Sequence, residues 1–367
     1  MYQPVTVLAK SLQTIAVMCF SSGTGGMERS AVRLARFLSS IATVVLVCKK
    51  GSFVEKLYHE EGAGYACEPI AFLSRTFSLS MLFGARSVLA RHDVKNVIFF
   101  GASELKTLHF SFLAKQLNLI VWHGTTKSRP KRDFIHNLIY SNVDYHVALS
   151  EHLIRNVKTI VPETPDVEYR VIRPSFDFDV NIKGKSEAAG VISIVHVGRV
   201  AYGKGQVDAV LACVALRDRG IEFSLKLVGS ADSSNYINEV KEAVKRNSLE
   251  EFVTLEGYVE SVNAYLEHAD ILLFPSSGEG MPNAFIEALH YDIVCIAYDN
   301  TVFPEFLEMG FHVQLVSDSD IDALSAKLLQ VVSDLDEEKS KAKKNMKLAE
   351  DYFSVERELS EWREVLV

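Results

Sequence analysis

The chain has 367 residues, enough for two domains, and 48% of them are hydrophobic, enough for a sizeable core. No run of about 18 apolar residues occurs, so no helix is predicted to span a membrane, and the five cysteines are scattered without metal or disulfide spacing. The net charge of −8 hides an asymmetry: residues 1–175 hold 21 Lys+Arg against 13 Asp+Glu, a balance of +8, and residues 176–367 hold 18 against 34, a balance of −16.

In chain order, the first half alternates strand and helix patterns. Thr14–Phe20 reads as a strand. It follows no basic stretch and flows into a glycine loop, so it is a buried strand rather than a signal peptide. With reduced core thiols, that predicts a cytoplasmic protein. The loop Ser21-Ser22-Gly23-Thr24-Gly25-Gly26-Met27-Glu28 leads into an amphipathic helix to about Leu38. It fails the dinucleotide fingerprint, because Glu28 stands where the third glycine belongs. The next strand, Thr43–Cys48, ends in Lys49-Lys50 with no acid for a ribose. No nicotinamide or flavin cofactor is therefore expected, and a plain tight turn is a fair alternative. Further strands fall at Val97–Phe100, Leu119–Trp122 and Tyr145–Leu149, with helical patterns at Ser103–Leu117 and Asp133–Tyr140. Such alternation predicts a doubly wound parallel sheet, whose ligands bind beyond the carboxyl ends of the strands.

His123 follows one of those strands and precedes Gly124, which places it at the sheet's carboxyl edge, facing the ligand crevice. After it come Lys127, Arg129, Lys131 and Arg132, four cations in six residues. Such a run is usually a solvated loop. Beside a ligand crevice it could grip a phosphorylated acceptor or lipid headgroups. The first domain is predicted to end near Arg173-Pro174-Ser175, with Asn181–Gly190 as linker.

The second half opens with a strand, Val191–Val197, then Gly198-Arg199-Val200-Ala201-Tyr202-Gly203-Lys204-Gly205 and a helix from about Gln206 to Asp218. Arg199 and Lys204 flank a glycine-rich bend at a helix start, where two fixed cations can neutralise a diphosphate without a metal. Strands Ser224–Val228, Phe252–Leu255, Ile271–Phe274 and Ile293–Ala297 continue the alternation. After the third of them Pro275, two serines and two glycines break the chain, and Pro282 suits the first turn of a helix. The N–H groups of Gly280, Met281, Asn283 and Ala284 would be free there, and with the helix dipole they form an anion site. Glu279 lies in the loop, and Glu287 can face the same place one or two turns deeper. An acid beside a phosphate site usually accepts from sugar or ribose hydroxyls.

The stretch Glu279–Ala288, E-G-x-P-x-x-x-x-E-A, resembles the signature of the retaining family-4 glycosyltransferases. That resemblance covers most of the chain. It implies the GT-B architecture: two doubly wound Rossmann-like domains facing across a cleft, here residues 1–175 and 185–353, with a last helix, 354–367, crossing back. It implies that Glu279 and His123 lie at the donor sugar and that Glu287 binds the ribose. Gly25 and Gly26 would close over the donor phosphates, and Arg199 and Lys204 would clamp the diphosphate. Tyr258, after Gly257, would border the nucleobase. The expected reaction is sugar transfer, with retention, from a nucleotide-sugar (UDP-linked by expectation) to an acceptor hydroxyl. It needs no cofactor or metal, and nucleic acid is not a partner. The triplet Asp177-Phe178-Asp179 binds a metal in the other large glycosyltransferase fold; here it is read as an exposed turn. The basic first half points to a lipid-linked or lipopolysaccharide-type acceptor and to peripheral attachment at the inner membrane face through Lys127, Arg129, Lys131 and Arg132. Readings left open are a nucleotide-sugar epimerase of the same architecture, a soluble-acceptor synthase and a catalytically silent binding partner.

Overall fold

A computed structural model describes residues 12–74, 78–101, 103–113, 116–164, 166–178 and 190–367. The chain divides into two units. The first runs to Ile172 and takes up the chain again at Glu358–Val367; the second is Arg173–Arg357.

The first unit holds β1 (Leu12–Cys19), α1 (Gly26–Leu38), β2 (Ala42–Lys49), α2 (Phe53–Glu60), β3 (Ala66–Ile70), α3 (Leu79–Arg91) and β4 (Asn96–Phe100). It continues with α4 (Leu105–Phe112), β5 (Asn118–His123), α5 (Phe134–Tyr140), β6 (Tyr145–Ala148), α6 (Glu151–Ile160) and β7 (Glu168–Val171). All seven strands are parallel, in the order β3-β2-β1-β4-β5-β6-β7. Central strands read as unbroken apolar runs because both faces are covered: every residue of β4 is buried. One face packs Met18 and Phe99 against Met81, Leu108 and Ile139 of α3, α4 and α5. The other packs Val17 and Ile98 against Ala31 and Leu34 of α1.

The second unit holds β8 (Ile192–Val197), α7 (Gln206–Asp218), β9 (Phe223–Val228), α8 (Ser234–Arg246), β10 (Val253–Gly257), α9 (Asn263–Glu267) and β11 (Ile271–Phe274). Then come α10 (Asn283–His290), β12 (Val294–Tyr298), α11 (Phe303–Glu308), β13 (Gln314–Val316), α12 (Ile321–Ser333), α13 (Leu335–Ala342) and α14 (Lys344–Tyr352). Its sheet is parallel in the order β10-β9-β8-β11-β12-β13. Both sheets start in the middle and reverse direction, so each has a switch point at the carboxyl ends of its first and fourth strands. In the second unit those ends, Val197 and Phe274, open into the two glycine-bearing loops singled out from the sequence.

A final helix, α15 (Val355–Val365), carries the chain from one unit back into the other. Trp362 is 1% exposed in the core of the first unit, and Glu358 accepts from the Arg33 guanidinium at 2.9 Å. The end is tied to the sheet, since Asn118 Nδ2 donates to Val365 O at 2.6 Å and Asn96 Nδ2 to Val367 O at 2.9 Å. The predicted helix over Ser103–Leu117 is shorter, at Leu105–Phe112. The expected linker lies, apart from Gly190, outside the described residues, as does Asp179 of the acidic triplet. Phe178 of that triplet stacks on His290 at 4.4 Å between ring centroids.

Candidate functional site

In the second unit, backbone geometry presses two loops together. Gly205 has φ +77°, and a Cβ there would lie 1.9 Å from Pro275 O, so only glycine lets loop 198–205 approach loop 275–282 so closely. Ser277 N donates to Gly203 O at 2.8 Å across the same seam. The first loop is also held from beneath. Fully buried His196 places Nε2 2.8 Å from Lys204 O, and Gln206 Nε2 donates to Arg199 O at 2.9 Å. A carbonyl only accepts, so Nε2 of His196 carries the proton. Burial holds this imidazole neutral, its pKa lowered to about 4.

On this frame stand the charges. Lys204 Nζ lies 2.7 Å from Glu279 Oε1, and Ser276 Oγ donates to the same oxygen at 2.5 Å. Glu279 is 9% exposed, so its charge is balanced inside the protein. Arg199 Nη1 meets Asp232 Oδ2 at 2.5 Å with both side chains well exposed, which makes a weak, exchangeable pair. Neither cation thus stands unpaired, although the sequence reading placed both on a ligand directly. Each reaches an anion only by leaving or sharing a carboxylate.

Pro282 is the N-cap of α10 rather than part of its first turn: its ψ of 113° is extended, and its carbonyl receives Phe285 N and Ile286 N. The N–H groups of Gly280, Met281, Asn283 and Ala284 find no protein acceptor among the described residues, as the sequence predicts for an anion site. Two residues of the helix's apolar face, Phe285 and Ile286, are fully buried. Glu287 follows them, partly buried, with no hydrogen bond or ion pair among the described residues, and burial raises its pKa. Tyr258 is three-quarters exposed after β10. Gly203, Gly205, Pro275 and Ser277 also line a pocket reaching Asp208 and Tyr298, whose hydroxyl donates to Asp208 Oδ2 at 2.8 Å.

In the first unit, the glycine loop is already engaged. Gly25 N donates to Glu28 Oε2 at 2.9 Å, a capping arrangement in which a buried carboxylate takes one of the donors assigned to phosphate. Gly26 opens α1, with open space where a Cβ would stand. His123 does end β5, but its ring is 1% exposed and both nitrogens are occupied. Lys127 Nζ lies 3.1 Å from Nδ1, and His146 Nδ1 lies 2.9 Å from Nε2. A lysine ammonium only donates, so Nδ1 of His123 accepts and its Nε2–H donates to His146. Burial, then Lys127 and His146, hold His123 well below the usual histidine range. Burial and Lys131 lower Lys127 to about 8.

The cationic run therefore does not form one patch. Lys127 turns inward, its backbone N–H and C=O both bonded to the Asn156 amide at 2.9 Å. Lys131 is partly buried, near Lys106 and Glu104. Arg129 and Arg132 are exposed, and Arg132 donates to Lys158 O. Among the described residues no group of three or more His, Cys, Asp or Glu could hold a metal ion.

Comparison with known proteins gives a match to the second unit and a likeness in fold. Residues 192–334, most of the second unit, match the family model of Glycosyl transferases group 1. The solved glycosyltransferase of Rickettsia africae superposes with a TM-score of 0.81 at 16% identity, covering 97% of this chain and 98% of that one. Anabaena HepE in complex with UDP does so at 0.80 and 16%, covering 96% and 99%. The fold is GT-B. Sequence relatives include the amylovoran biosynthesis glycosyltransferase AmsK of Erwinia amylovora, 30% identical over 159 residues, 41% of this chain and 38% of AmsK. The capsular polysaccharide biosynthesis glycosyltransferase CapH of Staphylococcus aureus is 25% identical over 129 residues, 34% of this chain and 36% of CapH. These matches span well under half the length of the relatives. Within the GT-B frame, sequence reasoning missed Ser276, His196 and Gln206 in the second unit and Glu28 and His146 in the first. The signals were faint: a histidine near a strand end, a glutamine at a helix start, an acid three residues past a glycine.

Proposed function

We propose that this chain is a glycosyltransferase that moves a sugar from a nucleotide-sugar to an acceptor hydroxyl. The observation that carries the reading is the meeting of Lys204, Glu279 and the open start of α10 at the switch point of the second sheet, with Glu287 unpartnered on that helix. In this reading an arriving diphosphate draws Lys204 away from Glu279. The anion then lies against Lys204, Arg199 and the free N–H groups at Gly280, Met281 and Asn283, which stabilise charge growing on the leaving group. Glu279 Oε1, released by the lysine, accepts from a hydroxyl of the donor sugar. Glu287, whose raised pKa marks an unsatisfied carboxylate, gains by accepting from a ribose diol.

The finer assignments rest on the sequence signature. UDP is the proposed carrier, consistent with the UDP complex of HepE. Retention of configuration, independence of metal, a contact of His123 with the donor sugar, closure of Gly25 and Gly26 over the phosphates and a base contact at Tyr258 are proposals of the same standing. For His123, Lys127 must first yield Nδ1; for Gly25, Glu28 must yield the N–H. A lipid-linked or polysaccharide acceptor fits the relatives named for amylovoran and capsular polysaccharide biosynthesis. The test is a thermal-shift screen of nucleotide-sugars. A ligand at a hundred times its dissociation constant stabilises by about 2.7 kcal/mol, so one nucleotide class stands clear of the others. If no nucleoside diphosphate or its sugar raises the melting temperature, the reading fails.

A further inference from the structure

One face of the first unit is unlike the rest of the surface. The helices α3, α4 and α5 lie side by side over one face of the sheet, each contributing to the same buried core. Their outer sides should then be polar. Instead Leu79 and Phe83 of α3, Phe110 of α4, and Phe134, Ile135 and Leu138 of α5 are all at least 41% exposed, and Phe134 reaches 83%. Scattered exposed apolar side chains need no explanation, but a contiguous layer of them marks a surface that is covered in use. The spacing on α3 (79, 83) and α5 (134, 135, 138) is that of one helical stripe, so these side chains share an outward face.

Charge identifies the cover. From Leu105 to Arg132 the chain carries six Lys or Arg and no Asp or Glu. Arg129 and Arg132, exposed, precede α5 directly, and Arg86 is exposed on α3 one turn beyond Phe83. Asp133 is the acid at this edge, and its carboxylate caps α5 and bonds His136 at 2.6 Å. Apolar tips rimmed by arginines match the boundary of an anionic bilayer, where aromatic and aliphatic side chains enter the acyl edge and guanidiniums meet phosphates.

We infer that the α3–α5 face of the first unit docks on an anionic lipid bilayer, with Phe134, Ile135 and Leu138 as anchors and Arg129 and Arg132 as headgroup contacts. The anchors are apolar, so salt screens only part of the binding; lysine and arginine alone would be screened almost completely. Among the described residues no helix is long and apolar enough to cross a membrane, and the attachment inferred here is peripheral.

The test is flotation of the full chain with phosphatidylglycerol–phosphatidylcholine vesicles and with phosphatidylcholine alone. It uses no donor or acceptor, so it stands or falls apart from sugar transfer. Wild-type protein floats with the anionic vesicles at low salt and in part at about 0.5 M salt, where the Debye length is only a few ångströms. The triple variant Phe134→Ser, Ile135→Ser, Leu138→Ser keeps its melting temperature, because the three side chains are exposed, yet binds roughly tenfold more weakly at both salts. The variant Arg129→Ser, Arg132→Ser floats at low salt only to the extent that wild type does at about 0.5 M salt, because its apolar anchors remain. Wild-type protein that ignores anionic vesicles, or a triple variant that floats like wild type, overturns the inference. So does concentration-dependent self-association that the triple variant abolishes, since the face would then receive a second copy of this chain.

Discussion

Glu287 and Lys127 are ionisable side chains with no oppositely charged partner among the described residues, and both lead to predictions. Glu287→Gln keeps the shape and removes the charged acceptor for a ribose diol. Such a bond to a charged group is worth about 1.5–3 kcal/mol, so UDP affinity falls roughly tenfold to a hundredfold while pyrophosphate affinity stays unchanged; calorimetric titration of both ligands decides this. Lys127 has a folded pKa of about 8 against an ordinary 10.5. The unfolded chain therefore binds the extra proton between those values, and stability rises with pH across that window. Lys127→Met removes the titration. Relative to wild type, the variant should be more stable at pH 7 than at pH 10.5, by roughly 2–3 kcal/mol between the two, as read by denaturant unfolding at each pH. An equal difference at both pH values contradicts the buried ammonium. At this scale the sequence singled out Lys204 and Glu279 in two separate loops, and the structure brings them to 2.7 Å. Ser276, Gln206 and His146 were not singled out: a serine three residues before an acid and a glutamine at a helix start are common patterns, and His146 meets His123 from a different strand. Lys127 shows the converse: a charge in a basic run reads as solvated, and only packing against His123 turned it inward.

Among the elements, the loop pair of the second unit carries the design. Gly205→Ala places a Cβ within 1.9 Å of Pro275 O at a φ of +77°, and no rotamer relieves a clash with backbone. A strained position of this kind costs on the order of 1–3 kcal/mol, and moving the two loops apart also separates Lys204 from Glu279. The variant should melt several degrees lower and lose nucleotide-induced stabilisation in the same thermal scan. Wild-type stabilisation by UDP would show that the seam is not needed. Strands buried on both faces, such as β4 and β12, were readable as apolar runs. The edge strand β3, with Glu68 and Pro69, has little apolar pattern, and β13 has three residues, so neither carried a signal. Pro282 was placed in the helix by its fixed φ, but its extended ψ makes it the cap that aims the chain into α10. Propensity sets φ, whereas the loop closure sets ψ.

The whole molecule couples an acidic unit bearing the group 1 match to a basic unit with an apolar helical face. Two parallel sheets, each starting in the middle, were legible from alternation alone, since parallel strands need helical crossovers. The return of α15 was suggested by likeness and not by pattern; an amphipathic tail does not say which core will take Trp362. The claim that binds these levels is that Lys204 stabilises a departing diphosphate with no metal beside it. The direct measurement is the rate at which nucleoside diphosphate is released from the nucleotide-sugar found by the screen, in excess EDTA, for wild type and Lys204→Ala. Because the contact strengthens as charge develops, wild type should turn over in EDTA, and the variant, folded to the same melting temperature within a few degrees, should be slowed at least about tenfold. Wild-type turnover by Lys204→Ala, or turnover abolished by EDTA and restored by magnesium or manganese, would contradict that claim.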